Sequence, residues 1–194
     1  DRQLKKVENQ NVQRILSRAK ERASFRQTNS TKSRFSVKDN TIYLAENSGI
    51  DSIAHELFHE IDVAYGITSS GALKESLDKD YKNMLKNARV SGKSIPAMLQ
   101  SLYPGMFQGN DVKQVFPEYR GVSDILNGLS GGNIWLGFGH RDEYWHKEGR
   151  LEAETWAQFG RILFMQDKEV VKFMQQNFPN VYQEITDIIE RMIK

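Results

Sequence analysis

Residues 55–62 read HELFHEID, and no other stretch of this 194-residue chain constrains its fold as strongly. Two of the chain's four histidines stand four residues apart, with a glutamate directly after each. An α-helix returns to the same face every 3.6 residues, so on a helix His55 and His59 are neighbours one turn apart, with Cβ atoms roughly 5–6 Å apart. Ile53, Ala54, Leu57, Phe58 and Ile61 supply apolar groups to the other faces. The expected helix is N-capped by Asp51 or Ser52 and runs through about Tyr65, where Gly66 ends it.

That spacing carries a specific chemistry. Two imidazoles one turn apart can converge on one zinc ion at about 2.0–2.1 Å. Glu56 reaches the open side of such an ion without binding it, which suits a general base for a metal-activated water. A catalytic zinc takes three protein ligands and leaves a fourth position open. The candidates for the third are Asp62, His140, His146, Glu152 and Glu154. Asp62 is short and three residues after His59, a placement that fits an outer partner orienting an imidazole. Glu154 lies in RLEAETWAQFGRILF, where Trp156, Phe159, Ile162 and Leu163 read as core and small Ala157 admits a close helix approach. A carboxylate buried alone is costly. A cation removes that cost, which favours Glu154 as the third ligand.

The rest of the composition narrows the alternatives. There is no cysteine, which excludes thiol catalysis, disulfides and thiolate metal sites. A net charge of +2, with acids and bases interspersed, argues against nucleic acid and an anionic membrane surface as partners. No run of 18 apolar residues and no signal-peptide pattern is present, so this stretch reads as soluble. It opens on Asp1 rather than Met, as a domain cut from a longer protein would. The expected partner is a protein or peptide substrate.

The order of elements predicts an α+β fold in which helix dominates, as one domain with a cleft between two lobes. Residues 1–40 read as a charged, exposed amphipathic helix or two and the start of a hairpin. RFSV-KDN-TIYLA supplies that hairpin around Asp39-Asn40. Residues 41–66 would hold an edge strand, TIYLA, followed by the histidine helix. Residues 67–149 read as a subdomain covering the primed side of the cleft: a helix over ALKESLDKDYKNMLKNARV, a segment broken by Pro96 and Pro104, a short helix over VSDILNGLS, and a Gly-rich aromatic loop or bulged strand, GGNIWLGFGH. Trp145, just beyond that loop, reads as core, and His140 or Tyr144 as a cleft wall. Residues 150–194 form three helices, the last beginning after Pro179.

HELFHEIDVAYG resembles the zinc helix of the gluzincin metallopeptidases, in particular the lethal-factor type, which share HExxHxxD and a tyrosine three residues after the aspartate, here Tyr65. EAETWAQFGRIL resembles that family's ExExxAxxF segment, whose second glutamate binds zinc and falls on Glu154. FMQQNFPNVYQEITDII resembles its closing helix, and GVSDILNGLSGG with FGHRDEYW resembles peptidase-like domains attached to phage head-morphogenesis and mobile-element proteins. The similarity covers residues 41–66 and about 138–192. It implies a zincin-like fold with a helical C-terminal lobe, one catalytic zinc held by His55, His59 and Glu154, and peptide hydrolysis with Glu56 as base. A tyrosine seven residues before the glutamate ligand aids the transition state in that family. This chain has Lys147 there, and Tyr144, then His146, are the candidates for the role. The alternative is a structural module of a phage or mobile element that keeps the zinc site with little turnover. A toxin-like effector would share the chemistry and differ in target.

Overall fold

The computed structural model describes residues 2–109 and 111–194; Asp1 and Asn110 lie outside the described residues. After a short 3-10 turn comes α1 (Gln10–Arg22), followed by β1 (Ser24–Thr28), β2 (Arg34–Ser36), β3 (Thr41–Ala45) and α2 (Ile50–Tyr65). Then follow α3 (Ala72–Val90), α4 (Ile95–Leu102), α5 (Arg120–Leu129), the one-turn α6 (Asp142–Trp145), α7 (Arg150–Met165), α8 (Lys168–Asn177) and α9 (Pro179–Ile193). The fold is α+β and helix-dominant, with one three-stranded sheet. None of these helices is long and apolar enough to cross a membrane.

The predicted hairpin forms: β2 and β3 pair antiparallel with Phe35 opposite Ile42, and Asn40 takes the left-handed conformation (φ 47°) that asparagine tolerates in a turn. The expectation that TIYLA is an edge strand is overturned. The strand order is β1-β3-β2, so β3 is central, with β1 parallel to it on one side. SFRQT, which forms β1, shows no alternation of burial, so nothing in its pattern announces a strand. The N-terminal helix also differs from expectation. Val12, Ile15, Leu16 and Ala19 of α1 are buried, which makes it half a core helix. It is tied to α2 by Arg22, whose guanidinium makes a two-pronged contact with buried Glu60 at 2.7 Å on each arm.

α2 ends as expected, with Gly66 left-handed (φ 65°), a conformation that costs glycine nothing. Its start differs: Gly49 holds the cap position, and Asp51 lies inside the first turn. Pro96 opens α4 rather than breaking a helix, because its missing N–H is one that the first turn leaves unpaired anyway. GGNIWLGFGH is irregular throughout. Buried residues of 67–149, among them Leu77, Leu99, Ile125 and Leu136, belong to the same apolar core as α1, α2 and α7–α9. There α5 packs on α7 and α3 on α9. Asp80 of α3 is 1% exposed and accepts from the backbone N–H of Val181 at 2.9 Å and the Asn180 side chain at 2.6 Å, which fixes the start of α9.

The site is positioned by α2 against α7. Trp156, fully buried, donates its indole N–H to the Phe58 carbonyl at 2.8 Å, and the two rings meet edge-on with centroids 5.4 Å apart. Phe58 lies against Gly160, so closely that a Cβ there would overlap the ring. Sequence reasoning places the close approach at Ala157; the structure places it one turn on, at Gly160. Gly160→Ala is expected to destabilise the fold by about 1–3 kcal/mol through overpacking, against a helix-propensity gain of about 1 kcal/mol. Urea unfolding measures the balance, and a variant as stable as the parent would refute the close approach.

Candidate metal centre

His55 and His59 project from one face of α2 as the helical period requires. Their Nε2 atoms stand 3.1 Å apart, with the rings edge-on. Glu154 comes from the first turns of α7, is 3% exposed, and brings Oε2 to 3.4 Å from His55 Nε2 and Oε1 to 3.7 Å from His59 Nε2. These three ligand atoms all lie within 4.8 Å of one another. Among the described residues they are one of two groups arranged to hold a metal ion.

The polar inventory fits a cation. Glu154 Oε2 is buried without a hydrogen-bond partner, a costly state that an ion would relieve. Oε1 accepts from the Tyr144 hydroxyl. Burial pushes the Glu154 pKa up, but His55, His59 and Tyr144 outweigh it and hold the carboxyl well below the usual range. Burial and the neighbouring His55 bring His59 down to about 4. Burial also works against a charged His55, but the facing Glu154 carboxylate prevails and raises its pKa. Glu154 as an anion and His59 as a neutral ring are in the state in which such groups ligate, and His55 sheds its proton to join them. Two nitrogens and one carboxylate oxygen are a donor set that zinc accepts.

Glu56 projects beside this group without joining it. It is 8% exposed, and Oε2 accepts the backbone N–H of Phe35 in β2 at 2.7 Å. Burial raises its pKa, only partly offset by His55 and by the Phe35 N–H. Glu60, the other glutamate of the motif, faces the opposite way, to Arg22. The two residues look equivalent in the sequence and are separated by helical rotation.

Of the remaining sequence-predicted residues, the structure brings Tyr144 to the site and not His146. The Tyr144 ring lies beside Glu154, and burial followed by that carboxylate raises its pKa, so the phenol keeps its proton. The His146 side chain is 70% exposed and faces Asp142 at 3.7 Å, because the single turn of α6 carries it to the outer side. Asp62 also differs from expectation. Its oxygens accept the Thr68 N–H at 2.7 Å and hydroxyl at 2.6 Å, so it braces the turn after α2 instead of an imidazole. Trp145, read as core, is half-buried, its indole N–H bonded to Asn127 at 2.7 Å. Glu152 lies in the first turn of α7, half-buried, outside both groups.

Sequence reasoning missed Asp124 of α5. It is 3% exposed, accepts from the Gln158 amide at 2.8 Å, and pairs with His140 Nδ1 at 2.9 Å. His140 stacks on Tyr144 with centroids 4.0 Å apart and holds Nε2 4.0 Å from Glu154 Oε1. Asp124, His140 and Glu154 form the second metal-capable group, sharing Glu154 with the first. Burial works against a charged His140, but Asp124 prevails and raises its pKa. The only advance signal for Asp124 was a lone acid amid the apolar positions of VSDIL.

Of these residues, His55, Glu56, Asp124, His140 and Gln158 border a cleft of about 880 Å³ between the β1–β2 connection, the start of α2, and α5 and α7. Compared with protein-family models, curated proteins and solved structures, the chain matches none.

Removing one ligand should leave the others intact but lower metal affinity. His55→Ala, His59→Ala and Glu154→Gln are each expected to weaken zinc binding by more than about a hundredfold, beyond the cost of losing an outer hydrogen-bond partner. His146→Ala should bind zinc as the parent does. Chelator competition measures both, and equal affinity across all four variants would exclude this ligand set.

Proposed function

We propose that the chain is a zinc-dependent metallopeptidase of the gluzincin type, with a zincin-like arrangement of sheet, histidine helix and glutamate helix. One observation carries this reading: two imidazoles one turn apart meet a buried, part-orphaned carboxylate from a second helix, with a further buried carboxylate alongside them. A cation in this set would polarise a carbonyl oxygen and lower the pKa of a water towards ~7.

The chain's own groups supply the proton chemistry. Glu56, with its raised pKa, takes a proton from the attacking water and later delivers it to the leaving amine nitrogen, as the water oxygen bonds to carbon and the C–N bond breaks. The Phe35 N–H holds Glu56 in place. The Tyr144 hydroxyl, on turning from Glu154, and Nε2 of the protonated His140, on neighbouring stacked rings, are the candidate donors to the developing oxyanion, and Asp124 fixes the imidazole through Nδ1. His140 thus takes the role considered for His146. Of the two edge strands, β2 adjoins Glu56, and an extended peptide would lie along that border.

A structural module retaining zinc has no use for a buried base at Glu56. The purified chain should carry about one zinc per molecule and cleave members of a peptide library. Glu56→Gln should keep the metal and lose about 10²–10⁴ in kcat. A variant cleaving as fast as the parent would refute the mechanism. His140→Ala should lower kcat at unchanged zinc content, a split that elemental analysis alongside kinetics resolves.

A further inference from the structure

The cleft continues past the metal group along two facing side-chain rows. On α2, Asp51, His55 and His59 repeat every four residues. On α7, Glu154, Gln158 and Arg161 follow the same face. The rows run in opposite directions, so His55 and His59 meet Glu154 at one end and Asp51 meets Arg161 at the other, Nη1 to Oδ2 at 3.3 Å. Arg161 is 8% exposed. Its Nε and Nη2 are buried with no partner, as are Arg120 Nε and Gln158 Oε1. Arg161 Nη2 and Gln158 Oε1 lie close against Gly121, where a Cβ would sit 3.0 Å from each. Arg120, laid over the Phe138 ring at 4.2 Å, borders the same cleft.

The charges at this end do not balance. Arg161 faces Asp51 and feels the like charge of Arg120, while Asp124, the other nearby acid, is engaged by His140 and Gln158. A buried guanidinium with two vacant donors is costly, and its planar fork matches a carboxylate. We propose that Arg161, with Arg120, forms a subsite that receives a carboxylate of the peptide substrate. The subsite's distance from the scissile bond rests on the peptidase reading; its affinity for a carboxylate does not. Seven helical residues separate Arg161 from Glu154, about 10 Å along α7 at 1.5 Å each. An extended peptide spans that in about three residues. The acid therefore sits a few residues from the cleaved bond, either as a side chain or as the chain's free C-terminus.

The test uses the zinc-loaded chain and fluorescent peptides in matched pairs: Glu against Gln at each position within three residues of the centre, and free carboxylate against amide at the C-terminus. Binding is read by anisotropy on the Glu56→Gln chain, and cleavage on the parent. One pair should show a preference of about tenfold or more for the acid, and which pair does so separates side chain from terminus. Arg161→Gln should erase that preference while leaving affinity for the neutral member within about twofold. If circular dichroism shows Arg161→Gln unfolded, Arg120→Gln carries the same expectation. No preference in any pair, or a preference surviving both variants, overturns the subsite. If acid-selective, Arg161-dependent binding occurs without cleavage, the peptidase reading fails and the subsite stands. If cleavage is indifferent to charge, the subsite fails and the peptidase reading stands.

Discussion

The contact between α2 and α7 sets everything else. Phe58 against Gly160, with Trp156 bonded to the Phe58 carbonyl, brings two helix backbones closer than ordinary side chains allow. Only at that spacing can the short Glu154 carboxylate reach both imidazoles. The same contact aligns the polar rows, so one packing decision fixes the metal-capable group and the arginine end together. Interiors are close-packed and respond to single methylene groups; the site inherits that sensitivity although none of its polar residues forms the contact.

Local periodicity made part of this legible. His55, Glu56 and His59 belong to one helix, and their relation follows from 3.6 residues per turn. Glu154 was legible because an acid in a run of core residues demands a partner. Asp124 and His140 were not recoverable as a pair, since they lie sixteen residues apart and meet only after an irregular glycine-rich segment returns past α5. His146 and His140 both flank Tyr144, and only the direction of the α6 turn decides which faces inward. The sheet was half legible. The β2–β3 hairpin has a turn signal, whereas β1 pairs in parallel with β3 across intervening chain and carries no burial alternation. Missing β1 is what made β3 look like an edge.

Most charges lie on the surface, but a few are buried at defined places. Glu56, Glu60, Asp124, Glu154 and Arg161 are all buried, and each has a specific counterpart or a specific vacancy. Buried ion pairs contribute little net stability and fix geometry instead. Arg22 with Glu60 follows this rule on the far side of α2, locking the rotation of the helix that carries both histidines.

The Phe35 N–H that anchors Glu56 belongs to the main chain. Its position depends on the register of β2 and on the four-residue turn before β3, not on the identity of residue 35. Sequence drift across this strand would therefore leave the anchor untouched, proline alone excepted, since it has no N–H to offer. An insertion or deletion in the turn would instead remove it at once. The molecule's tolerance to change along this border is high for substitutions and low for changes in length.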